Sequence, residues 1–361
     1  MPILEHDLLA ALAGVTDPHT GAALAPANLS IQGGDIAFDV VLGYPAQSLV
    51  APLRQQLIAA ARTVAGVQNV SANVSWQVRS HAVQPGVQLL PGVKNIIAVA
   101  SGKGGVGKST TSANLALALA AEGARVGVLD ADIYGPSQPL MFGVTGQKPE
   151  SHDGKTMEPL ENYGVQLMSI GFLLDNPDQA MIWRGPMAVQ ALEQMLRQTH
   201  WKDLDYLVID LPPGTGDIQL TMSQRIPVTG AVIVTTPQDI ALSDARKGIQ
   251  MFEKVSVPIL GLVENMAMHV CSNCGHVEHI FGQDGGRQLA QAKGLHFLGS
   301  LPLSLQIREE ADSGKPTVAA APDSEVAAIY KRLARDVAVQ VAQASTEQAA
   351  KAPTISIHKK R

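Results

Sequence analysis

Only two cysteines occur in 361 residues, Cys271 and Cys274, and none precedes them. A secreted scaffold stapled by several disulfides is excluded. Aromatic residues are scarce at 4%, so any core must be filled by Ala, Val, Leu and Ile. Positive charge is not in excess: 27 Lys and Arg against 32 Asp and Glu leave a net charge of −5 and a pI near 6.1. No global basic field draws nucleic acid, which argues against a nucleic-acid partner. No uninterrupted apolar run reaches the roughly 18 residues of a membrane span, and no charged-then-apolar signal opens the chain. The expectation is a cytoplasmic protein without stable membrane association. There a CxxC pair serves metal or redox chemistry before a structural disulfide.

What is present reads as a globular chain, 46% apolar and 16% charged. At about 150 residues per domain, the length suits two domains. Residues 1–79 have the texture of a small α+β domain. Leu4, Leu8, Leu9 and Leu12 lead to the turn Thr16-Asp17-Pro18-His19, and Ile31 to Leu42 alternates around Gly33-Gly34 as one or two strands. A helix over 48–65 and an alternating stretch from Val70 to Val78 complete the unit. Pro85, Gly86, Pro91 and Gly92 mark 80–94 as a linker. Residues 95–345 then alternate helical segments with short apolar runs: IIAVA (96–100), VGVLD (126–130), VQLMSI (165–170), YLVID (206–210), AVIVT (231–235), ILGLVEN (259–265) and FLGSLPL (297–303). Strands buried on both faces and separated by helices make a mostly parallel α/β sheet flanked by helices. An amphipathic helix over 323–343 closes this domain, and 346–361 read as a polar, flexible tail.

Directly after the first run stands Gly102-Lys103-Gly104-Gly105-Val106-Gly107-Lys108-Ser109, followed by Thr110 and an Ala/Leu-rich helix to 121. This is GxxxxGK[ST] between a strand and a helix, the context in which the string means a phosphate site. Glycine lets backbone N–H groups turn inward on phosphate oxygens, and the helix N-terminus adds the positive end of its dipole. Residues 102–110 are expected to cradle a nucleotide, with Lys108 on the β- and γ-phosphates and Ser109 on Mg²⁺. The run VGVLD leads into Asp130-Ala131-Asp132, and YLVID ends in Asp210 before Pro-Pro-Gly-Thr-Gly-Asp. A buried strand ending in Asp holds Mg²⁺ directly or through water. The glycines of 211–217 permit rearrangement around a γ-phosphate, and Asp217 serves that segment or caps the next helix. The amide of Asn265 suits either an adenine contact or a turn. Arg184, in WRGP, is left without a role.

The second loop lysine, Lys103, resembles the signature lysine of the deviant Walker-A ATPases, the group of MinD, ParA, ArsA and the nitrogenase iron protein. That resemblance implies a MinD-like P-loop fold and a homodimer in which Lys103 reaches the nucleotide of the facing subunit. It implies that Asp132 orients the attacking water, that Asp130 supports the Mg²⁺ shell and that Asn265 contacts adenine. The sequence supplies no arginine finger in an obvious place, so hydrolysis is expected to be slow.

Cys271 and Cys274 lie in HVCSNCGHVEH, 269–279. Two thiolates two residues apart bind one metal or two corners of a cluster, which is half of either site. His276 or His279 completes a zinc site within the chain, or both cysteines of two subunits surround one [4Fe–4S] cluster. A metal-free redox pair would normally sit beside a thioredoxin-like strand. Taken in order, GKGGVGKST, DADIYGPSQP, DLPPGTGD, VENM, CSNCG and IFGQDGG resemble the Mrp/Nbp35 (ApbC) family of iron–sulfur cluster carrier ATPases over 94–340, in its bacterial Mrp-like form. Residues 1–79, with Asp17-Pro18, resemble the MIP18-type (DUF59) domain. Where that domain often has a reactive cysteine this chain has Gly43-Tyr44-Pro45-Ala46-Gln47, which leaves it docking rather than ligation. The resemblance implies an ATP- and Mg²⁺-dependent homodimer that holds a [4Fe–4S] cluster between subunits through Cys271 and Cys274. It would receive the cluster from a donor and transfer it to apo-proteins. The alternative is a zinc-stapled MinD- or ParA-like ATPase switch that positions a partner.

Overall fold

The computed structural model describes residues 3–80, 87–174 and 185–351. In the N-terminal unit, α1 (Glu5–Leu12) buries Leu8 and Leu12, four apart and so on one helix face. β1 (Ala27–Gln32) and β2 (Asp35–Leu42) pair antiparallel, and α2 (Gln47–Ala61) carries the chain to β3 (Asn69–Trp76), parallel to β2. Along β2, Ile36, Phe38, Val40 and Leu42 are buried while the residues between them are not. This is the period of a sheet with one wet face, and its dry face shares a core with Leu53, Leu57 and Ala61 of α2.

The chain continues through β4 (Val93–Ala100), α3 (Lys108–Ala121), β5 (Val126–Asp130), α4 (Gln138–Met141), β6 (Leu160–Asn162), β7 (Val165–Ser169), α5 (Gly185–Gln198) and β8 (Leu204–Asp210). Next come α6 (Asp217–Arg225), β9 (Gly230–Thr235), α7 (Asp239–Lys254), β10 (Ile259–Glu264) and a separate hairpin of β11 (His269–Val270) and β12 (Val277–Glu278). α8 (Gly285–Lys293), β13 (Phe297–Ser300), α9 (Leu305–Asp312), α10 (Thr317–Ala320) and α11 (Glu325–Lys351) finish it. Eight strands make one sheet in the order β13-β10-β9-β4-β8-β5-β7-β6, parallel throughout except at the β6 edge. Each of the seven apolar runs contributes a strand. β5, β8 and β9 are buried at every residue, which is why they read as unbroken apolar runs. β6 has no counterpart among the expected strands, since three residues are too few to carry a period.

Two boundaries differ from expectation. β4 begins at Val93, inside the expected linker, of which 81–86 lie outside the described residues. α11 continues to Lys351 where a polar tail was expected from 346, because Glu347, Gln348, Ala349, Ala350 and Lys351 are good helix formers. Residues 352–361 and Arg184 also lie outside the described residues. Among the described residues, no helix is long and apolar enough to cross a membrane.

The N-terminal unit meets the rest of the chain at the far end of α3. Glu122, buried just after that helix, accepts from the Ser48 N–H at 3.0 Å and its hydroxyl at 2.8 Å, and pairs with Arg335 of α11. Arg335 Nε donates to His19 Nε2 at 2.9 Å, which leaves the other ring nitrogen to donate to Asp336 at 2.6 Å. In the large sheet, β4 has β8 on one side and β9 on the other, so its C-terminal end opens where the strand order divides. Ligands of open α/β sheets bind at such a point.

Candidate functional site

Between β4 and α3 the chain makes a tight loop in which Gly105 and Gly107 take φ of +78° and +80°, values that L side chains avoid. A Cβ on Gly107 would also strike the Asn265 amide. Gly107 is the N-cap of α3 and no side chain caps it, so the first-turn N–H groups remain available to an anion. The loop from Lys103 to Thr110 lines a cavity of about 270 Å³, closed on its other sides by Asp132, Gly135, Ser137, Met141 and Pro213.

Two fully buried carboxylates lie beside this loop, Asp130 ending β5 and Asp210 ending β8. They are register partners, so parallel pairing of the two strands sets them side by side. Lys108 Nζ is 2.5 Å from Asp210 Oδ1, which also accepts from the Ser112 hydroxyl at 2.9 Å. Gln138 Nε2 donates to Asp210 Oδ2 at 2.9 Å and to the Ser109 carbonyl at 3.1 Å. Asp130 accepts the backbone N–H of Asp132 at 3.2 Å and of Gln138 at 3.0 Å, and the Ser169 hydroxyl at 3.2 Å. It therefore staples the 131–138 loop. Burial, and after it the charge of Asp210, push Asp130 up to about 7. Burial likewise raises Asp132, which accepts from the Gly135 N–H at 3.3 Å. The Lys108–Asp210 pair is tolerated at this depth because each partner compensates the other's lost hydration.

Three further groups tie the loop to its surroundings. Lys103 Nζ reaches Gln238 Oε1, at the start of α7, at 3.4 Å. Asn265 Nδ2 donates to the Val106 carbonyl at 2.9 Å, bracing the loop from the end of β10. The Gly214 N–H donates to the Ser101 carbonyl at 3.0 Å, while Gln219 donates to Pro212 O at 3.0 Å and accepts from the Gly216 N–H at 2.8 Å. α6 is thus capped through Gly216 and Gln219, with Asp217 as its first residue rather than its cap. Ser112, Gln138 and Ser169 are site residues that the sequence expectations do not include. Ser112 had a signal, standing one helical turn beyond Lys108, and Gln138 lay inside a string read for its aspartates.

The β11–β12 hairpin follows β10 at the same, C-terminal end of the parallel strands. Its turn is closed by the Gly275 N–H to Cys271 O and the Cys271 N–H to His276 O, both at 2.9 Å. Cys274 is exposed and Cys271 half-buried. The backbone N–H groups of Cys274 and Asn273, and then the Cys274 thiol, hold the Cys271 thiol below its ordinary range. That favours the thiolate, the form that binds metal. Both flanking histidines use Nδ1 on a carbonyl, His269 on Leu303 O at 3.1 Å and His279 on Ala267 O at 2.8 Å. Among the described residues, no group of three or more His, Cys, Asp and Glu stands close enough to hold a metal ion, so neither His276 nor His279 completes a site with the cysteines. Val270, Val277 and Ile280 around the pair are exposed.

A sequence model of the NUBPL iron-transfer P-loop NTPases matches residues 92–338. The chain belongs to this family. A second model, of an iron-sulfur cluster assembly protein, matches residues 5–74. The chain is 60% identical over 270 residues to the iron-sulfur cluster carrier protein of Pseudomonas fragi, covering 74% of this chain and 94% of that protein. It is 42% identical over 350 residues to the carrier protein of Synechocystis, covering 94% and 98%. A nucleotide-binding protein of Archaeoglobus fulgidus, solved with ADP, superposes with a TM-score of 0.56 at 40% identity over 62% of this chain and 88% of that one. The cell-division ATPase MinD of Pyrococcus furiosus gives 0.50 at 24% identity, over 67% and 98%, and speaks for the fold alone. The fold is that of the MinD- and ParA-like P-loop NTPases, as the resemblance at Lys103 implied. Gly102 to Thr110, Asp130, Asp132 and Asp210 gather at the end of β4, and Asn265 touches the loop from the end of β10. Cys271 and Cys274 stand apart on their own hairpin.

Proposed function

We propose that this protein is a homodimeric, Mg²⁺-dependent ATPase that carries a [4Fe–4S] cluster between its two copies and delivers it to apo-proteins. The observation that carries this reading is one chain that joins a fully furnished phosphate loop to a cysteine pair on an exposed hairpin that makes half of a metal site. A second copy supplies the other two thiolates. The names of the carrier relatives support an iron–sulfur cargo.

At the nucleotide end, residues 102–110 wrap the phosphates with N–H groups, and Lys108 exchanges Asp210 for the β- and γ-phosphates. The residues suit Mg²⁺: two buried carboxylates lie next to Ser109, and the buried hydroxyl of Ser137, on the cavity wall, has no partner among the described residues. Ser109 and Asp210 would hold the ion with Asp130 behind them, and bound there it would neutralise charge on the phosphates. Asp132, on the cavity wall, orients the attacking water. Lys103 leaves Gln238 for the nucleotide of the facing subunit, and Asn265 contacts adenine. Hydrolysis is slow, and nucleotide state changes cluster exposure through the Lys103 loop and the 211–217 segment.

Anaerobic reconstitution with iron and sulfide tests the cargo. Wild type should take up about four irons per dimer with a broad visible charge-transfer band, and Cys271→Ala and Cys274→Ala should each lose it. Colourless wild-type protein holding one tight zinc would replace this reading with a zinc-stapled switch. Equal transfer rates for wild type and Lys108→Ala, with and without ATP, would remove the coupling.

A further inference from the structure

We infer that Gln138 is a placeholder on Asp210, its amide occupying the carboxylate oxygen that Mg²⁺ would use, so that arrival of the metal expels it and moves the 131–141 segment. This rests on the proposed Mg-nucleotide site. Asp210 is fully buried, and both its oxygens are already taken by this chain: Oδ1 by Lys108 and Ser112, Oδ2 by Gln138 Nε2. A carboxylate oxygen has two lone pairs: Oδ1 has donors for both, and on Oδ2 a cation approaching from the Gln138 side competes with its amide. Lys108 has the phosphates to go to. Gln138 has no such destination and must simply be displaced. The same Nε2 donates to the Ser109 carbonyl, so one amide spans the two residues that would hold the metal.

A second observation marks the pose as one ready to change. Gln138 is 2% exposed, yet its Oε1 finds no partner among the described residues, and neither does the buried hydroxyl of Ser137 beside it. A buried acceptor without a donor is costly. It is tolerated here while the other end of the amide serves Asp210, and withdrawal lets both groups regain partners. The backbone makes the consequence specific. Gln138 opens α4, a four-residue helix, and its own N–H is held by Asp130. The loop between them bears Asp132, and the segment also presents Tyr134 and Leu140, 51% and 53% exposed, at the surface. Gln138 is therefore a positioning residue, converting metal binding into displacement of Asp132 and of an outward face.

The test is titration of mant-ADP, a fluorescent nucleotide, in EDTA and across a Mg²⁺ series, on wild type, Q138L and Q138N, with hydrogen exchange over 131–141. Removing a competitor that hydrogen-bonds a charged group should lower half-saturating Mg²⁺ by about tenfold in Q138L. Affinity in EDTA should stay within about twofold, since the amide does not oppose metal-free nucleotide. Without Mg²⁺, 131–141 in Q138L should exchange at the rate that wild type reaches only with it. If Q138L fails to fold, Q138N, whose amide is one methylene short of Asp210, should show the same shift in smaller measure. An unchanged Mg²⁺ midpoint in the folded variant, or an equal loss of affinity with and without Mg²⁺, overturns the placeholder. Wild type that binds no mant-ADP under either condition overturns the nucleotide site itself, and this inference with it.

Discussion

The crevice at the end of β4 and the hairpin after β10 lie at the same, C-terminal end of one sheet's parallel strands, yet they are built by opposite rules. In the crevice each charge has an answer from within the chain: Lys108, 6% exposed, pairs with Asp210, and Asp130 accepts from two backbone N–H groups and a serine. At the hairpin, residues 272–280 are exposed throughout, and the cysteine pair has no third ligand beside it among the described residues. Buried charge must be satisfied before the domain can fold, whereas an exposed turn defers its bonding to whatever covers it. Damage in the crevice should therefore cost folding free energy, and damage at the hairpin should cost only assembly.

The widest separation is expected from Lys108→Ala. It leaves Asp210 buried without its cation, at a cost of about 3–5 kcal/mol, and removes the phosphate ligand as well. Urea denaturation should show the loss, and nucleotide titration should show no binding. Adding Asp210→Asn should recover part of the stability and none of the binding. Lys108→Ala that unfolds at the wild-type urea midpoint would mean that the ion pair contributes nothing to the crevice, and the contrast would fail at its stronger end.

Asn265→Ala probes the joint between the two regions, since Asn265 stands six residues before Cys271 and holds the Val106 carbonyl. Losing a buried hydrogen bond should cost about 1–3 kcal/mol and weaken nucleotide binding, with iron per dimer unchanged after reconstitution. Parallel loss of iron would show that the loop and the hairpin are one structural unit.

How much of this was legible follows from the same contrast. The interior strands of the large sheet and the phosphate loop announced themselves because double-sided burial demands unbroken apolar runs and a phosphate cradle demands glycine at fixed places. Asp210 was legible as the polar end of such a run. Gln138 was not, because its role comes from α4 folding back across β8, a contact between residues 72 apart that no local period records. β6 and the β11–β12 hairpin escaped for another reason: strands of three and two residues have no periodicity to read. The cysteines were visible at once, but what completes their site is a second surface, and one chain's sequence does not say which.

Cys274→Ala should have the smallest effect on the fold. The residue is exposed, so unfolding free energy should stay within about 0.5 kcal/mol of wild type, and mant-ADP affinity should be unchanged while reconstituted iron is lost. A destabilisation comparable to that of Asn265→Ala would show the hairpin to be part of the core assembly, and the two regions would no longer differ in kind.

The finest prediction concerns how far the hairpin is organised before any metal arrives. Cys271 is held below the usual thiol range chiefly by the backbone N–H groups of Cys274 and Asn273, which point at its sulfur only while the turn is formed. A free thiol loses its proton near pH 8.5, and a lowered value keeps thiolate present at lower pH. Alkylation of Cys271 by iodoacetamide, followed by mass spectrometry across pH, should inflect below that value. In Cys274→Ala the two backbone donors remain and one thiol is lost, so the inflection should rise only in part. In urea, where the turn opens, it should return to the free-thiol value. An inflection at the free-thiol value in the native protein would mean that the donors are not set until metal binds. The hairpin would then be unformed as well as incomplete, and its contrast with the crevice wider still.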